Sequence, residues 1–449
     1  MFGAIFAPLK WLLPVFLTIW SIVLSGGETV EFTILATADL HGCMAQLQNA
    51  VAPAVVQYHK SGPQSVIYVD IGDTAQGAYP VNRRRGAGVL PQLAAAGCKL
   101  WVPGNHEMEY GFEAFKRMVN EFSGTVLAAN LHAPELTGKV KPYVIVELNQ
   151  VKVAFIGLML QNMNNCFPVA EERFQTLPGR AALRKSINDA RSDGAGVIVL
   201  LRHAGKYGSG ENLPELLKNM PEVDLVIGAH THQSEPGCRI GRVWYVQPPS
   251  HGRGLLTVKV KYDLSKRQIR QIESGIEVLD VYKESHIAPE FESVKPCRTA
   301  DEPAQRMRAF TQADLALYAA NRSSMERLLS LENPRLIDYY NAFPYFDPVI
   351  TVKVTDRELH EIMREYLNFA HKRKQLLLTA GFSYRARRGK LHGLIMEKEQ
   401  DVYVLAISAY AAAGAGGQLP DTRRILINKI NHKQAENAPG ILRVITGKD

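Results

Sequence analysis

In the stretch Lys99–Gly111, KLWVPGNHEMEYG, an apolar run gives way without a linker to Asn105, His106 and Glu107. Taken alone, Gly-Asn is a common turn. The chain repeats the pattern, however. EFTILATAD, SVIYVDIGD, TVLAANL, VKVAFIGL, GVIVLLRHA and VDLVIGAH are runs rich in Val, Ile and Leu that end at or beside Gly, Asp, Asn or His. Amphipathic segments such as AALRKSINDARSDG and NLPELLKNM lie between several of them. Strands that read as buried on both faces and alternate with helices define a layered α/β domain.

Side chains just past the carboxyl ends of such strands converge on one rim, where ligands bind. Five polar blocks occupy that position: DLHG from Asp39, GDT from Gly72, GNHE from Gly104, RHAG around His203 and GAHTH ending at His232. Their donors are Asp39, His41, Asp73, Asn105, His203, His230 and His232. Nitrogen and oxygen ligands without a thiolate cage suit two borderline divalent cations, zinc, manganese or similar. Two aspartates leave two such ions with net positive charge, which favours a phosphate. Water held between the ions loses a proton near neutral pH, so the chemistry expected is phosphoester hydrolysis.

With these blocks in this order the chain resembles the calcineurin-like metallophosphoesterases, whose motifs run DxH, GDxx, GNH(D/E), H and GHxH. The last appears here as Gly228-Ala229-His230-Thr231-His232, with Ala229 inserted. The resemblance implies a β-sandwich flanked by helices. It implies that Asp39, His41 and His232 hold one ion, that Asn105, His203 and His230 hold the other, and that Asp73 bridges them. It also gives His106, beside Asn105, the task of stabilising the transition state and protonating the leaving oxygen. Glu109 is either the carboxylate that orients His106 or a residue that starts a helix. Glu107 reads as structural.

Three further stretches resemble the 5'-nucleotidase and 2',3'-cyclic-nucleotide 2'-phosphodiesterase/3'-nucleotidase family: VQPPSHGRGLLTVKVKYD from Val246, NAFPYFDPVITVKVTDRELHEIM from Asn341 and AYAAAGAGG from Ala409. The resemblance implies a C-terminal domain whose two aromatic rings, Tyr345 or Phe346 and Tyr410, sandwich a nucleobase, and whose Arg322 holds phosphate. Core aromatics at a strand entry and a surface arginine are the alternatives. The chain departs from the family where GAGGQLP lacks the aspartate of a GGDGYP-like turn and no asparagine precedes Arg322 in the expected place. The expected activity is hydrolysis of nucleotide phosphoesters, with a lean towards the cyclic phosphodiesterase/3'-nucleotidase. A 5'-nucleotidase, a UDP-sugar hydrolase, or a non-catalytic exported nucleotide-binding or surface protein are the alternatives.

The 449 residues exceed one ordinary core. Residues 1–27 read as a signal peptide or an uncleaved anchor, because Lys10 precedes WLLPVFLTIWSIVL and small residues follow. An exported protein, periplasmic, cell-surface or secreted, is the consequence. The phosphoesterase domain is expected over 28–275, a polar connector over 276–312, and a smaller α/β nucleotide-binding domain over 313–449. Five scattered cysteines exclude a dense disulfide framework. The formal charge of +8 lies in clusters such as Arg83–Arg85, His371–Lys374 and Arg385–Arg388, which read as solvated faces. The expected partner is therefore a small nucleotide, with no specific nucleic acid, and contact with a membrane only through the N-terminal segment.

Overall fold

The structure is a computed structural model that describes residues 28–161, 173–208, 211–282 and 293–448. The expected signal or anchor and Cys166 fall outside those residues. No helix among the described residues is long and apolar enough to cross a membrane.

The principal strands of the first domain are β1 Thr29–Thr37, β2 Val66–Asp70, β3 Cys98–Trp101, β4 Thr125–Leu127, β5 Val140–Lys141, β6 Tyr143–Leu148, β7 Val151–Leu158, β8 Val197–Arg202, β9 Leu225–Ile227, β10 Glu235–Ile240, β11 Val243–Gln247, β12 Gly254–Asp263 and β13 Gln268–Val278. They form two sheets, ordered β13-β12-β1-β2-β3-β4-β5 and β10-β11-β9-β8-β7-β6. β1 to β5 pair in parallel, as do β7, β8, β9 and β11.

The apolar runs are continuous because both faces of each central strand are buried. Ile67 and Val69 of β2 and Leu100 of β3 point between the sheets, where they meet Val197, Val199 and Leu201 of β8. The alternate residues Tyr68 and Trp101 face outward under helix α1, Phe112–Glu121, whose Phe112, Phe115, Met118 and Val119 share one stripe. On the other sheet, Ile198 and Leu200 pack against Leu183, Ile187 and Ala190 of helix α2, Gly179–Ser192. The expected sandwich with helices outside is what forms.

The second domain opens with helix α3, Glu302–Thr311, and is built on β14 Leu315–Asn321, β15 Val349–Thr355, helix α4 Asp356–Lys372, β16 Gln375–Ala380, the hairpin β17 Phe382–Arg387 and β18 Lys390–Met396, and β19 Val402–Ser408. Its sheet is ordered β15-β19-β14-β16. Thr355 and Glu358 cap α4 reciprocally, with Thr355 N donating to Glu358 Oε2 at 2.8 Å.

Two elements run across the expected boundaries. β13 runs to Val278, three residues past 275. It is an edge strand with one half-buried face, so it carries no apolar run. The expected connector over 276–312 contains α3, which buries Pro303, Ala304 and Met307 in the core of the second domain. So few apolar positions amid charged residues leave a faint helical period in the sequence.

Candidate metal centre

The parallel strands place their carboxyl ends on one rim: Asp39 follows β1, Asp73 follows β2, Asn105 and His106 follow β3, His203 follows β8, and His230 and His232 follow β9. The loops continue the strand ladder, with Asp39 N donating to Gly72 O and His41 N to Asp73 O, each at 2.8 Å. This winding puts Asp39 (φ 51), His41 (φ 47), Asp73 (φ 51), His230 (φ 72) and His232 (φ 55) in the left-handed region. Residues other than glycine hold such backbones at roughly 1–3 kcal/mol each, and they cluster at functional sites.

Two buried carboxylates that do not face the cleft fix the loops. Thr37 Oγ1 and Thr74 Oγ1 each donate to Asp70 at 2.6 Å. Glu107, fully buried, accepts four backbone N–H groups: Asp73 at 3.0 Å, Thr74 at 2.8 Å, Ala75 at 2.9 Å and Gly104 at 2.7 Å. One side chain thus binds the GDT and GNHE loops to each other. This is the structural role expected of Glu107, with a partner set that no spacing rule announces.

Three overlapping groups of donors form: Asp39 with His41 and His232, Asp73 with His203 and His230, and, between them, His41 with Asp73 and His106. His41 Nε2 and His232 Nε2 face each other at 2.9 Å. His203 Nε2 stands 3.1 Å from Asp73 Oδ2. Asn105 Oδ1, His203 Nε2 and His230 Nδ1 are buried without a well-aligned hydrogen bond among the described residues, His203 Nε2 despite its approach to the Asp73 carboxylate. These three orphaned atoms belong to the residues expected to share one ion, and an apolar-walled rim would not leave them so. The donor set fits divalent cations. Burial lowers His41 to about 3 and His230 to about 4, which keeps both imidazoles neutral and able to ligate. Burial works the other way on Asp73, but His203 and His106 outweigh it and hold the carboxyl well below its ordinary range.

His106 stands in the group between the other two. Its backbone N–H donates to Asp73 Oδ1 at 2.9 Å, and its Nδ1 meets the buried Glu109 Oε1 at 2.7 Å, so Glu109 faces the ring and not solvent. Burial would lower the His106 imidazole; Asp73 and Glu109 overcome it and raise the group to about 9. A histidine so held keeps its proton at neutral pH.

The cleft, of about 420 Å³, is lined by His41, Asp73, His106, His230 and His232 on one wall and by Pro344 and Tyr345 of the second domain on the other. Tyr345 lies parallel to His106, with ring centroids 6.0 Å apart and 8° between planes. Phe346 does not line it: the ring packs on Tyr110 at 5.4 Å and under Arg85 at 4.9 Å, sealing the domain contact. Tyr410 is partly buried against the cores of both domains. Arg322 is half-exposed, 3.8 Å from Glu326, and is not among the cleft residues. Of the expected substrate residues, only Tyr345 faces the cleft.

Two cleft residues have no counterpart among the expected donors. Gln76 Oε1 meets His41 Nδ1 at 3.1 Å, which leaves Nε2 for the cleft. His251, at φ 61, stands 5.5 Å from both His41 and His232 by ring centroids, and its N–H donates to Asp39 O at 2.8 Å. The SHG stretch after β11 is the signal that could have found His251, since it too follows a parallel strand.

This sandwich carries histidines and carboxylates on one rim in an arrangement that could hold metal ions. The calcineurin-like phosphoesterase family model matches residues 32–234 of this chain. Relatives include a "Probable 5'-nucleotidase" of Treponema pallidum (strain Nichols), 26% identical over 182 residues, 39% of this chain and 30% of that protein. The trifunctional nucleotide phosphoesterase YfkN of Bacillus subtilis (strain 168) is 23% identical over 295 residues, 53% of this chain and 20% of the relative. The matches thus span less than a third of each relative's length. Among solved structures, a 5'-nucleotidase precursor from Thermus thermophilus aligns with a TM-score of 0.63 at 16% identity over 88% of this chain and 92% of its own. The NAD nucleotidase of Haemophilus influenzae aligns at 0.56, 16% identical, over the same 88% and 92%. At such identity the likeness establishes the two-domain fold.

Proposed function

We propose that the protein is an exported hydrolase of nucleotide phosphoesters that works with two divalent cations. The observation that carries the reading is the convergence of the donor groups, with the orphaned Asn105 Oδ1 and His230 Nδ1 beside them, on a cleft whose opposite wall is Tyr345. Asp39, His41 and His232 would hold one ion, Asn105, His203 and His230 the other, with Asp73 shared. When bound, the ions supply a nucleophilic water of lowered pKa and neutralise charge on the phosphate. The chain's own residues do the rest. His106 points its imidazole into the cleft and gives a proton to the leaving oxygen, and Glu109 fixes the ring through Nδ1, leaving Nε2 as the acidic atom. The exposed Tyr345 offers one flat face to a base, which favours nucleotides without selecting among bases.

The FPYFD and NHEMEYG stretches favour 2',3'-cyclic nucleotides and 3'-nucleotides as substrates. A 5'-nucleotidase is the second reading, favoured by the names of the relatives. Phosphate release by metal-reconstituted protein from 3'-, 5'- and 2',3'-cyclic nucleotides separates the two. Activity that survives EDTA, or none on any nucleotide after reconstitution with zinc or manganese, would end the proposal. Export is tested separately, by N-terminal sequencing of the protein recovered from outside the cytoplasm.

A further inference from the structure

One stretch of the second domain carries an unbalanced run of positive charge. Between residues 366 and 396 there are seven Lys and Arg and no Asp or Glu, so this stretch alone accounts for nearly all of the formal +8. In sequence it forms two separate clusters, Lys372–Lys374 and Arg385–Lys390. The fold unites them. β14 and β19 run parallel, and β15 and β16 run antiparallel to them, so the ends of β14 and β19 and the starts of β15 and β16 share one end of the sheet. Tyr345 lies at that end, four residues before β15, and Arg373 and Lys374 lie there immediately before β16. The hairpin β17–β18 leaves the opposite end and returns, so its tip also reaches the cleft end. There a Cβ at Gly389 would press on the His371 side chain at 2.9 Å, which confirms that the tip rests on the last turn of α4.

The tip is built to display cations. Arg388 (φ 52) and Gly389 (φ 75) form a two-residue turn of the kind that favours Asn-Gly, yet an arginine occupies its first position. Among the described residues Lys372, Lys374, Arg385, Arg387, Arg388 and Lys390 carry no ion pair, and all six are exposed. Acidic residues of the hairpin region, from Glu397 onward, lie at the far end, where Glu397 meets Arg308 at 2.7 Å. Arg373 donates to Gln418 at 3.0 Å and lies over the Phe369 ring at 5.2 Å, so it bridges the rim towards the Gly-rich turn.

We propose that this rim binds the phosphodiester backbone of a short single-stranded oligonucleotide whose terminal nucleotide enters the cleft, so that the substrate class extends beyond mononucleotides. The inference rests on the reading of the cleft as a nucleotide phosphoesterase site. A chain of nucleotides leaving a cleft walled by Tyr345 would run along the sheet end that carries these cations. A membrane surface is the less fitting partner, because docking of this end on a bilayer would cover the cleft mouth.

The test uses the full chain and its Arg387→Glu/Arg388→Glu variant, with thermal melts to confirm that both fold. In EDTA, fluorescence anisotropy with a labelled pentanucleotide reads binding without turnover. Wild type is expected to bind at least tenfold more tightly than the variant at low salt, with log affinity falling linearly as log salt rises. In metal-reconstituted protein, kcat/KM for a phosphate-terminated pentanucleotide should exceed that for the mononucleotide and fall about tenfold in the variant, while mononucleotide hydrolysis stays unchanged. Equal affinity of wild type and variant for the pentanucleotide, or equal loss on both substrates, overturns the proposal. So does binding to vesicles containing phosphatidylserine that is lost in the variant while oligonucleotide binding persists, since the rim then serves a membrane. Absence of mononucleotide hydrolysis in wild type would count against the cleft reading alone, because the anisotropy result stands without catalysis.

Discussion

The Glu107 carboxylate decides whether a rim of donors exists at all. It is buried, and its first effect from burial is an upward push on its pKa, opposed by the backbone N–H groups it accepts. Replacement by glutamine turns one acceptor edge into a donor facing N–H groups. Glu107→Gln should therefore cost roughly 2–4 kcal/mol in urea unfolding, and should weaken zinc binding in a competition assay. Glu109 acts through His106. With the carboxylate gone the imidazole loses part of what raises it, so its proton is lost at lower pH. Glu109→Gln is expected to move the alkaline limb of the kcat/KM profile to lower pH and to reduce kcat by about 10²-fold, the scale of general acid catalysis. An unshifted limb would mean that another group supplies the proton.

Elements bring these residues into range. Gly104, between β3 and the NHE turn, passes so close to the second sheet that a Cβ there would run into the Asp73 carboxylate and the His203 ring. Gly104→Ala should abolish metal binding while leaving the far-ultraviolet circular dichroism near that of the parent. In the second domain, removal of the α4 cap by Thr355→Ala should cost about 1 kcal/mol, visible as a lower melting temperature with unchanged mononucleotide kcat. How far the elements were legible follows from their burial. The runs of β1, β2, β3, β7 and β8 are apolar on both faces and stood out; β13, an exposed edge, and α3, with few buried positions, did not. The rim donors were legible because they recur at the ends of those same runs. His251 was not, because one histidine in a turn has no period and no partner in its own segment.

At the scale of the whole molecule the two domains meet through a small polar knot. Asn82 Nδ2 donates to Tyr340 Oη at 2.9 Å and to Pro344 O at 3.1 Å, while its Oδ1 accepts Tyr110 Oη at 2.6 Å. Asn82→Ala should loosen the placement of Tyr345 and raise KM for nucleotides several-fold more than it lowers kcat, a split that steady-state kinetics on paired substrates reads directly. Ions that bind only the folded rim add stability by mass action, so EDTA should lower the melting temperature and zinc or manganese restore it.

By itself the sequence determined the layered α/β domain and the candidate donors at its strand ends, because each is written locally: an apolar run of strand length with a polar residue at its end. Only the tertiary structure decided which residues of the second domain reach the cleft. FPYFD presents two neighbouring aromatic rings, and the domain contact takes Phe346 and leaves Tyr345 open. It also decided that two cationic clusters form one rim, since strand direction, not distance along the chain, sets which loops share an end of a sheet.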